Sequence, residues 1–316
     1  MNPSISICIP AYKNTTYLEV LLHSIEIQTF KDFEVVITDD SPGDEVLTLC
    51  KKYESKFSLV YQKNNPAKGS PANWNKGIRL AKGKWIKIMH DDDWFVHENA
   101  LQLFYDHTIR FPNTDFFYSA YNNVQHASGS IEKITNGIFG RTLLKWSPLN
   151  LFSKNRVGNP SCTLIKNFEG LQYDERLKWV VDFDFYMTQF LKGSSYQYVS
   201  EVLINVGIGE EQITNDCLKN PVVEIPENFI LIEKYGNRIF KNILVFDYYW
   251  RLLRNCDIRS REDIAKYYSV NDLNPVIGMM LKHQLRIQLT HLKKPIISKL
   301  LMIRCYVSYI IKGALK

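Results

Sequence analysis

Five short, almost uninterrupted apolar runs recur through the first 120 residues: Ile5–Ile9, Phe33–Ile37, Leu59–Tyr61, Trp85–Met89 and Phe116–Tyr118. Between them the apolar residues take helical spacing. Leu18, Leu21, Leu22 and Ile25 stand at i, i+3, i+4 and i+7, behind a Thr16-x-x-Glu19 capping box. Val46, Leu49, Cys50 and Tyr53 repeat that interval, and Trp74, Ile78 and Ala81 mark a further helix ended by Gly83. Leu101, Phe104, Tyr105 and Ile109 mark another, stopped near Pro112. Strands apolar on both faces, alternating with helices, predict an α/β fold. Its sheet is Rossmann-like, mostly parallel and flanked by helices on both sides.

In such sheets ligands bind beyond the carboxyl ends of the strands. Two acidic clusters fall there: Asp39-Asp40 after Ile37, and Asp91-Asp92-Asp93 after Met89. Burying unpaired carboxylates is costly, and no nearby stretch of sequence is basic enough to pair with all three of the second cluster. A divalent cation with oxygen ligands, itself holding an anion such as a diphosphate, explains them economically. The competing reading makes one aspartate a cap for a helix starting near Glu98 and leaves the others solvated. The equivalent placement of both clusters favours binding.

A chain of 316 residues suffices for one large domain with an appendage, or for two domains. Its net charge of +6 is mild and accompanies no nucleic-acid motif. Six scattered cysteines without a C-x-x-C pair argue against zinc and a disulfide framework, and for buried thiols in a reducing compartment. The first strand begins almost at once, with no signal-peptide pattern, and no apolar stretch reaches transmembrane length.

Residues 121–180 are richer in Asn, Ser and Gly and predict loops and short strands. Phe183, Tyr186, Met187 and Phe190 then mark a helix with Asp182 at its mouth. Beyond about residue 215 the pattern turns helical and basic. No acid follows Asp272, while Lys282, Arg286, Lys293, Lys294, Lys299, Arg304, Lys312 and Lys316 accumulate among apolar residues. The stretch Lys299–Lys312 is too short to span a bilayer. It fits an interfacial helix beside anionic lipid, or equally a helical cap with a solvated basic face.

The N-terminal half carries five motifs in order. They are Ile7-Cys8-Ile9-Pro10-Ala11-Tyr12-Lys13-Asn14, Val35-Val36-Ile37-Thr38-Asp39-Asp40-Ser41, Asn73-Trp74-Asn75-Lys76-Gly77-Ile78, Ala81-Lys82-Gly83-Lys84-Trp85-Ile86 and His90-Asp91-Asp92-Asp93. Together they resemble the family 2 glycosyltransferases of the GT-A fold, firmly over residues 4–120 and more weakly to about 210. The resemblance implies a nucleotide-diphosphosugar donor, UDP-linked by preference, with Mg2+ or Mn2+. It also implies transfer to an acceptor hydroxyl with inversion. Carried over by position, Pro10, Ala11 and Tyr12 line the nucleoside pocket and Asp40 accepts a hydrogen bond from the base. Lys68 and Asn75 flank the nucleotide, Asp91 meets the ribose, Asp92 meets the metal, and Asp93 caps or anchors its loop.

Inversion is a single displacement, so one positioned carboxylate suffices as base and no covalent nucleophile is needed. The segment Val180-Val181-Asp182-Phe183-Asp184 resembles the family's acidic pair before an aromatic helix, which makes Asp182 the base and Asp184 its reserve. The chain departs from the family pattern at three places. His90 replaces the first acid of the D-x-D motif, and Val181 replaces the first acid of the pair. Ile204-Asn205-Val206-Gly207-Ile208-Gly209 lacks the Arg and His of many relatives, so Lys68 or a C-terminal residue is expected to supply that charge.

The expected organisation is a catalytic domain over 1–215, with a nucleotide-sugar half to residue 120 and an acceptor half after it. A helical basic region over 216–316 follows. The expected function is sugar transfer to a glycan or lipid-linked acceptor in surface polysaccharide or lipopolysaccharide synthesis. Its expected place is the cytoplasm, with the inner face of the membrane as a peripheral site. Two alternatives compete: a catalytically degenerate nucleotide- or glycan-binding module, and a metal-dependent nucleotidyltransferase. The latter calls for glycines where Pro10-Ala11-Tyr12-Lys13-Asn14 has none.

Overall fold

The computed structural model describes residues 2–209, 217, 220–269 and 272–314; Lys316, counted among the basic residues above, lies outside them. The chain divides into two compact units. The first comprises Met1–Thr142, Arg156–Leu177 and Val181–Glu211, and the second comprises Leu143–Asn155, Lys178–Val180 and Gln212–Lys316.

The first unit opens with the expected alternation: β1 (Ile5–Ala11), α1 (Thr15–Glu26), β2 (Phe33–Asp39), α2 (Glu45–Lys51), β3 (Ser58–Lys63), α3 (Ala72–Leu80) and β4 (Trp85–Ile88). It continues through β5 (Trp94–Phe95), α4 (Ala100–Arg110), β6 (Phe116–Gln125) and β7 (Ile131–Ile134). The helix α5 (Ile138–Trp146) is followed by β8 (Thr163–Lys166), α6 (Val181–Leu191) and the long β9 (Tyr196–Ile208). One sheet runs β3-β2-β1-β4-β8-β6-β9-β5, with β7 on β6.

Its first four strands are parallel, with Ile7 in register with Val35 on one side and Lys87 on the other. Beyond β4 the sheet is mixed. The strand β8 pairs antiparallel with both β4 and β6, and β6 runs parallel to β9 past a bulge at Ser119–Tyr121. Nearly every residue of β1, β2 and β4 is buried, as strands covered on both faces must be.

One local expectation is corrected. The side chain of Asn14, not Thr16, caps α1, accepting from Tyr17 N–H at 3.2 Å, so the helix starts two residues earlier than the Thr16-x-x-Glu19 pattern implied. Asn holds a cap at least as well as Thr, which explains why the upstream residue wins.

The second unit is helical: α7 (Pro221–Tyr235), α8 (Ile243–Asn255), α9 (Arg261–Ala265), α10 (Pro275–Gln284), α11 (Leu289–Leu292) and α12 (Pro295–Ala314). Its core gathers aromatic rings whose polar ends are satisfied. Trp250 Nε1–H donates to Ser298 Oγ (3.0 Å), Tyr249 O–H donates to the Asn228 carbonyl (2.9 Å), and Phe240 packs on Tyr249. The buried Glu227 carboxylate accepts from three consecutive backbone N–H groups, those of Lys178, Trp179 and Val180. Among the described residues no helix is long and apolar enough to cross a membrane.

Gly83 lets the chain entering β4 pass directly against β1. A Cβ there would lie 2.5 Å from Ser6 N and 2.7 Å from Ile5 C, backbone atoms of a fully buried strand. The Gly83→Ala variant is therefore expected to lose roughly 2 kcal/mol of stability, read as a lower urea midpoint at unchanged slope. A wild-type midpoint would refute the contact.

Candidate active site

The carboxyl ends of β1, β2 and β4 are joined by hydrogen bonds between loops. Asp39, fully buried, accepts from Ser41 N–H (2.8 Å) and Tyr61 O–H (2.6 Å). Ser41 Oγ accepts from Lys13 N–H at 2.7 Å, holding Lys13 at φ +61°, while Tyr12 N–H donates to Asp91 Oδ2 at 3.1 Å. The Asp40 N–H donates to the Ala11 carbonyl at 3.1 Å. Ala11 and Tyr12 thus lie between Asp40 and Asp91, two of the predicted nucleotide contacts. Tyr12 itself is 54% exposed, with the Lys13 ammonium 4.8 Å from its ring centroid.

The Asp40 carboxylate is buried and carries a loop. Its Oδ1 accepts from Asn64 Nδ2 (2.8 Å) and Lys68 N–H (3.0 Å), and its Oδ2 from Gly69 N–H (2.7 Å). A carboxylate offers about four lone-pair sites, so one remains. The Lys68 side chain is exposed. Asn75, expected to flank the nucleotide, lies inside the fold. It is fully buried, and its amide donates to the Tyr173 carbonyl and Glu175 and accepts from Tyr173 N–H (2.8 Å). With its donors committed to the fold, it braces the 173–175 segment.

The acidic turn after β4 is clamped from two further elements. Asp93 is buried; its Oδ1 accepts from Gly207 N–H (3.0 Å) and its Oδ2 from Asn159 Nδ2 (2.8 Å). The Ser161 Oγ accepts from His90 N–H at 2.9 Å. Beneath this turn the fully buried Lys87 donates to the Ser161 carbonyl, and its ammonium lies over the rings of Phe104 (4.7 Å) and Phe95 (5.8 Å). Burial lowers its pKa to about 7, against the opposing pull of Asp93 and the Cys162 thiol. Asn159, Ser161 and Lys87 escaped the sequence reading, because a polar residue in a loop or strand interior carries no periodic signal.

His90, Asp92 and Asp93 each offer a ligand atom, and these atoms lie within 4.8 Å of one another. The His90 Nδ1 lies 4.0 Å from Asp93 Oδ2, while the His90 Nε2 is buried with no hydrogen-bond partner among the described residues. Burial lowers the His90 pKa, which keeps its imidazole in the ligand-competent neutral form. Burial and the neighbouring Asp92 push Asp91 up to about 7 and raise Asp93. Two buried acids pushed up beside the Asp92 charge, next to a neutral imidazole, fit a divalent cation. One nitrogen and two carboxylates suit Mn2+ better than Mg2+.

Asp182 occupies the second position of α6 and is partly exposed, whereas Asp184 is buried. Burial pushes the Asp182 carboxyl up to about 7, despite the favourable helix N-terminus. Burial raises the pKa of the Cys162 thiol, and the Asp93 and Asp182 charges raise it further. Trp74 packs on His90 (4.8 Å) and on Tyr173 (5.2 Å, edge-on), whose ring stacks on Phe185 of α6 at 4.0 Å. An aromatic chain thus runs from the acidic turn to the helix that carries Asp182.

His126 is a further residue the sequence reading missed. It stacks on Tyr17 (4.0 Å, 12°), and its N–H donates to the Ile208 carbonyl. A Cβ on Gly207 would fall 2.3 Å from the Asp92 carbonyl oxygen and 2.4 Å from His126 Nε2. No side chain fits at 207, which accounts for one residue of the Ile204–Gly209 departure, and an imidazole from β6's end stands there instead.

The loop over β2 rests on Asp40, which generates a test. Asp40→Ala leaves the Lys68 and Gly69 amides without their acceptor, and is expected to cost roughly 2–3 kcal/mol and speed their hydrogen exchange. Replacing the exposed Asp44 by Ala serves as the control. Unchanged exchange at both amides would show that Asp40 does not hold the loop.

The sequence pattern of glycosyl transferase family 2 matches residues 6–164. An uncharacterized glycosyltransferase of Rickettsia prowazekii is 28% identical over 69% of this chain and 68% of its own length. Among solved structures, TarS 1–349 of S. aureus superposes with a TM-score of 0.63 at 17% identity, covering 99% of this chain and 92% of that one; it has also been solved with UDP-GlcNAc. The mannosyltransferase PcManGT of Pyrobaculum calidifontis, solved with GDP-Man and Mn2+, reaches 0.58 at 13% identity, covering 99% of this chain and 88% of that one. At such identities the likeness establishes the GT-A fold.

Proposed function

The chain belongs to glycosyl transferase family 2, and on that premise we propose that it transfers a sugar from a UDP-sugar to a hydroxyl of a glycan or lipid-linked acceptor, with inversion. Asp182 is the base, and the observation that carries this is its partly exposed carboxyl at the mouth of α6, poised near neutral pH. The acceptor hydroxyl gives its proton to Asp182 as its oxygen forms the new bond to the anomeric carbon. The bond from that carbon to the diphosphate breaks on the opposite face.

Pro10, Ala11 and Tyr12 bind the nucleoside. The one lone-pair site left on Asp40 receives the imide N–H of uracil, which favours UDP. Asp91 faces the ribose, and the exposed Lys68 supplies a positive partner for the phosphates. His90, Asp92 and Asp93 would hold Mn2+ or Mg2+, which would stabilise the departing diphosphate. Residues 1–215 carry the reaction and 216–316 form the helical, basic accessory region. The acceptor belongs to surface polysaccharide or lipopolysaccharide assembly, with the enzyme in the cytoplasm at the inner face of the membrane.

Asp182→Asn is expected to reduce kcat by about 10²–10⁴ while leaving UDP affinity intact. The wild-type rate should rise as pH passes through about 7, since only the ionised carboxylate accepts a proton and burial has raised its pKa. Near wild-type turnover in the variant would remove Asp182 from the chemistry. Asp92→Ala should weaken UDP binding in the presence of Mn2+ by roughly tenfold or more, read by calorimetry. An unaltered titration would dismiss the metal role.

A further inference from the structure

The helix α12 has two apolar faces, and only one of them packs against the protein. Ser298, Met302 and Cys305 are buried. On the opposite side Ile296, Leu300, Ile303, Val307, Ile310 and Ile311 are between 39% and 76% exposed. They recur at i, i+4, i+7, i+11, i+14 and i+15, a single stripe along a 20-residue helix about 30 Å long. An exposed apolar stripe of that length on a soluble surface calls for an occupant.

The charges around it identify one. At 100° per residue, Lys299 borders the stripe on one side and Arg304 on the other. Beside the first turn of α12 lies a cavity of about 420 Å³ whose lining includes Arg251, Arg254, Lys293, Lys299, Asp247 and Ile296. The four cations there face one lining carboxylate, Asp247, which ion-pairs with both Arg251 (3.2 Å) and Lys299 (2.9 Å). Lys293 pairs with the exposed Asp257. Among the described residues Lys294 and Arg304 have no acidic partner, and no acid follows Asp272 in the sequence. Apolar side chains rimmed by cations, opening at one end into a basic groove, match acyl chains below phosphate headgroups.

We propose that α12 lies flat on an anionic phospholipid surface, its exposed stripe among the acyl chains and the basic groove at its foot against lipid phosphates. This gives physical form to the membrane attachment suggested above and rests on that part of the proposed function, not on the transfer chemistry. It brings the chain to the surface where a lipid-linked acceptor would reside.

The test is co-sedimentation of the full chain with vesicles of phosphatidylcholine alone or mixed with phosphatidylglycerol, at about 0.05 M and about 0.5 M salt. Binding is expected on the anionic vesicles only, weakened by salt. It should fall roughly tenfold or more in Leu300→Glu/Val307→Glu and in Lys299→Gln/Arg304→Gln. These positions are solvent-facing, so circular dichroism and Tm should match wild type and exclude misfolding. No sedimentation with the anionic vesicles, equal binding to both vesicle types, or wild-type binding by both variants would each overturn the proposal. So would a solution dimer that Leu300→Glu/Val307→Glu dissolves, with no vesicle binding; the stripe would then belong to a second copy. A UDP titration of the same preparations without vesicles reports on the donor site separately, so a failure of either reading is recognisable.

Discussion

The buried carboxylate of Asp93 is the constraint on which the site depends. It joins three distant stretches of chain: its own turn after β4, the end of β9 through Gly207 N–H, and the 159–162 segment through Asn159. Such a carboxylate is tolerable in the interior only because hydrogen bonds oppose part of the desolvation cost. Those same bonds hold His90 and Asp92 where their ligand atoms converge. The mixed half of the sheet also acquires a purpose here. A parallel sheet alone would present the turn after β4 to solvent, whereas β8 and β9 bring partners to it from outside the alternation.

Lys87 extends the same logic below the turn. A lysine in the middle of a buried strand is unfavourable by itself, and its ammonium meets one carbonyl and two aromatic faces. Through the Ser161 carbonyl it steadies the residue whose hydroxyl receives His90 N–H. The polar interior of this unit therefore forms a connected scaffold under the acids, and fold and function share residues there.

The first 120 residues could be read as strands and helices from sequence, because their apolar spacing is regular and propensity agrees with packing. The acids at the ends of β2 and β4 were legible for the same reason: once the strands are placed, their ends are placed. What the sequence hid were the long-range pairings. Nothing local to Asn159, Ser161 or Gly207 indicates that they meet residues 66 to 114 positions away. The bracing bonds of Asn75 were hidden too, because its partner Tyr173 lies 98 positions away. The two-faced character of α12 was likewise ambiguous, since apolar residues occupy both sides and burial alone separates them.

The manner in which Asp40 grips the 64–71 loop has a consequence for drift. Two of its three contacts run to main-chain amides, those of Lys68 and Gly69, rather than to side chains. Position 68 is therefore at liberty to vary in size and charge without releasing the grip. The outward side chains of the loop can be exchanged while its backbone stays where Asp40 holds it.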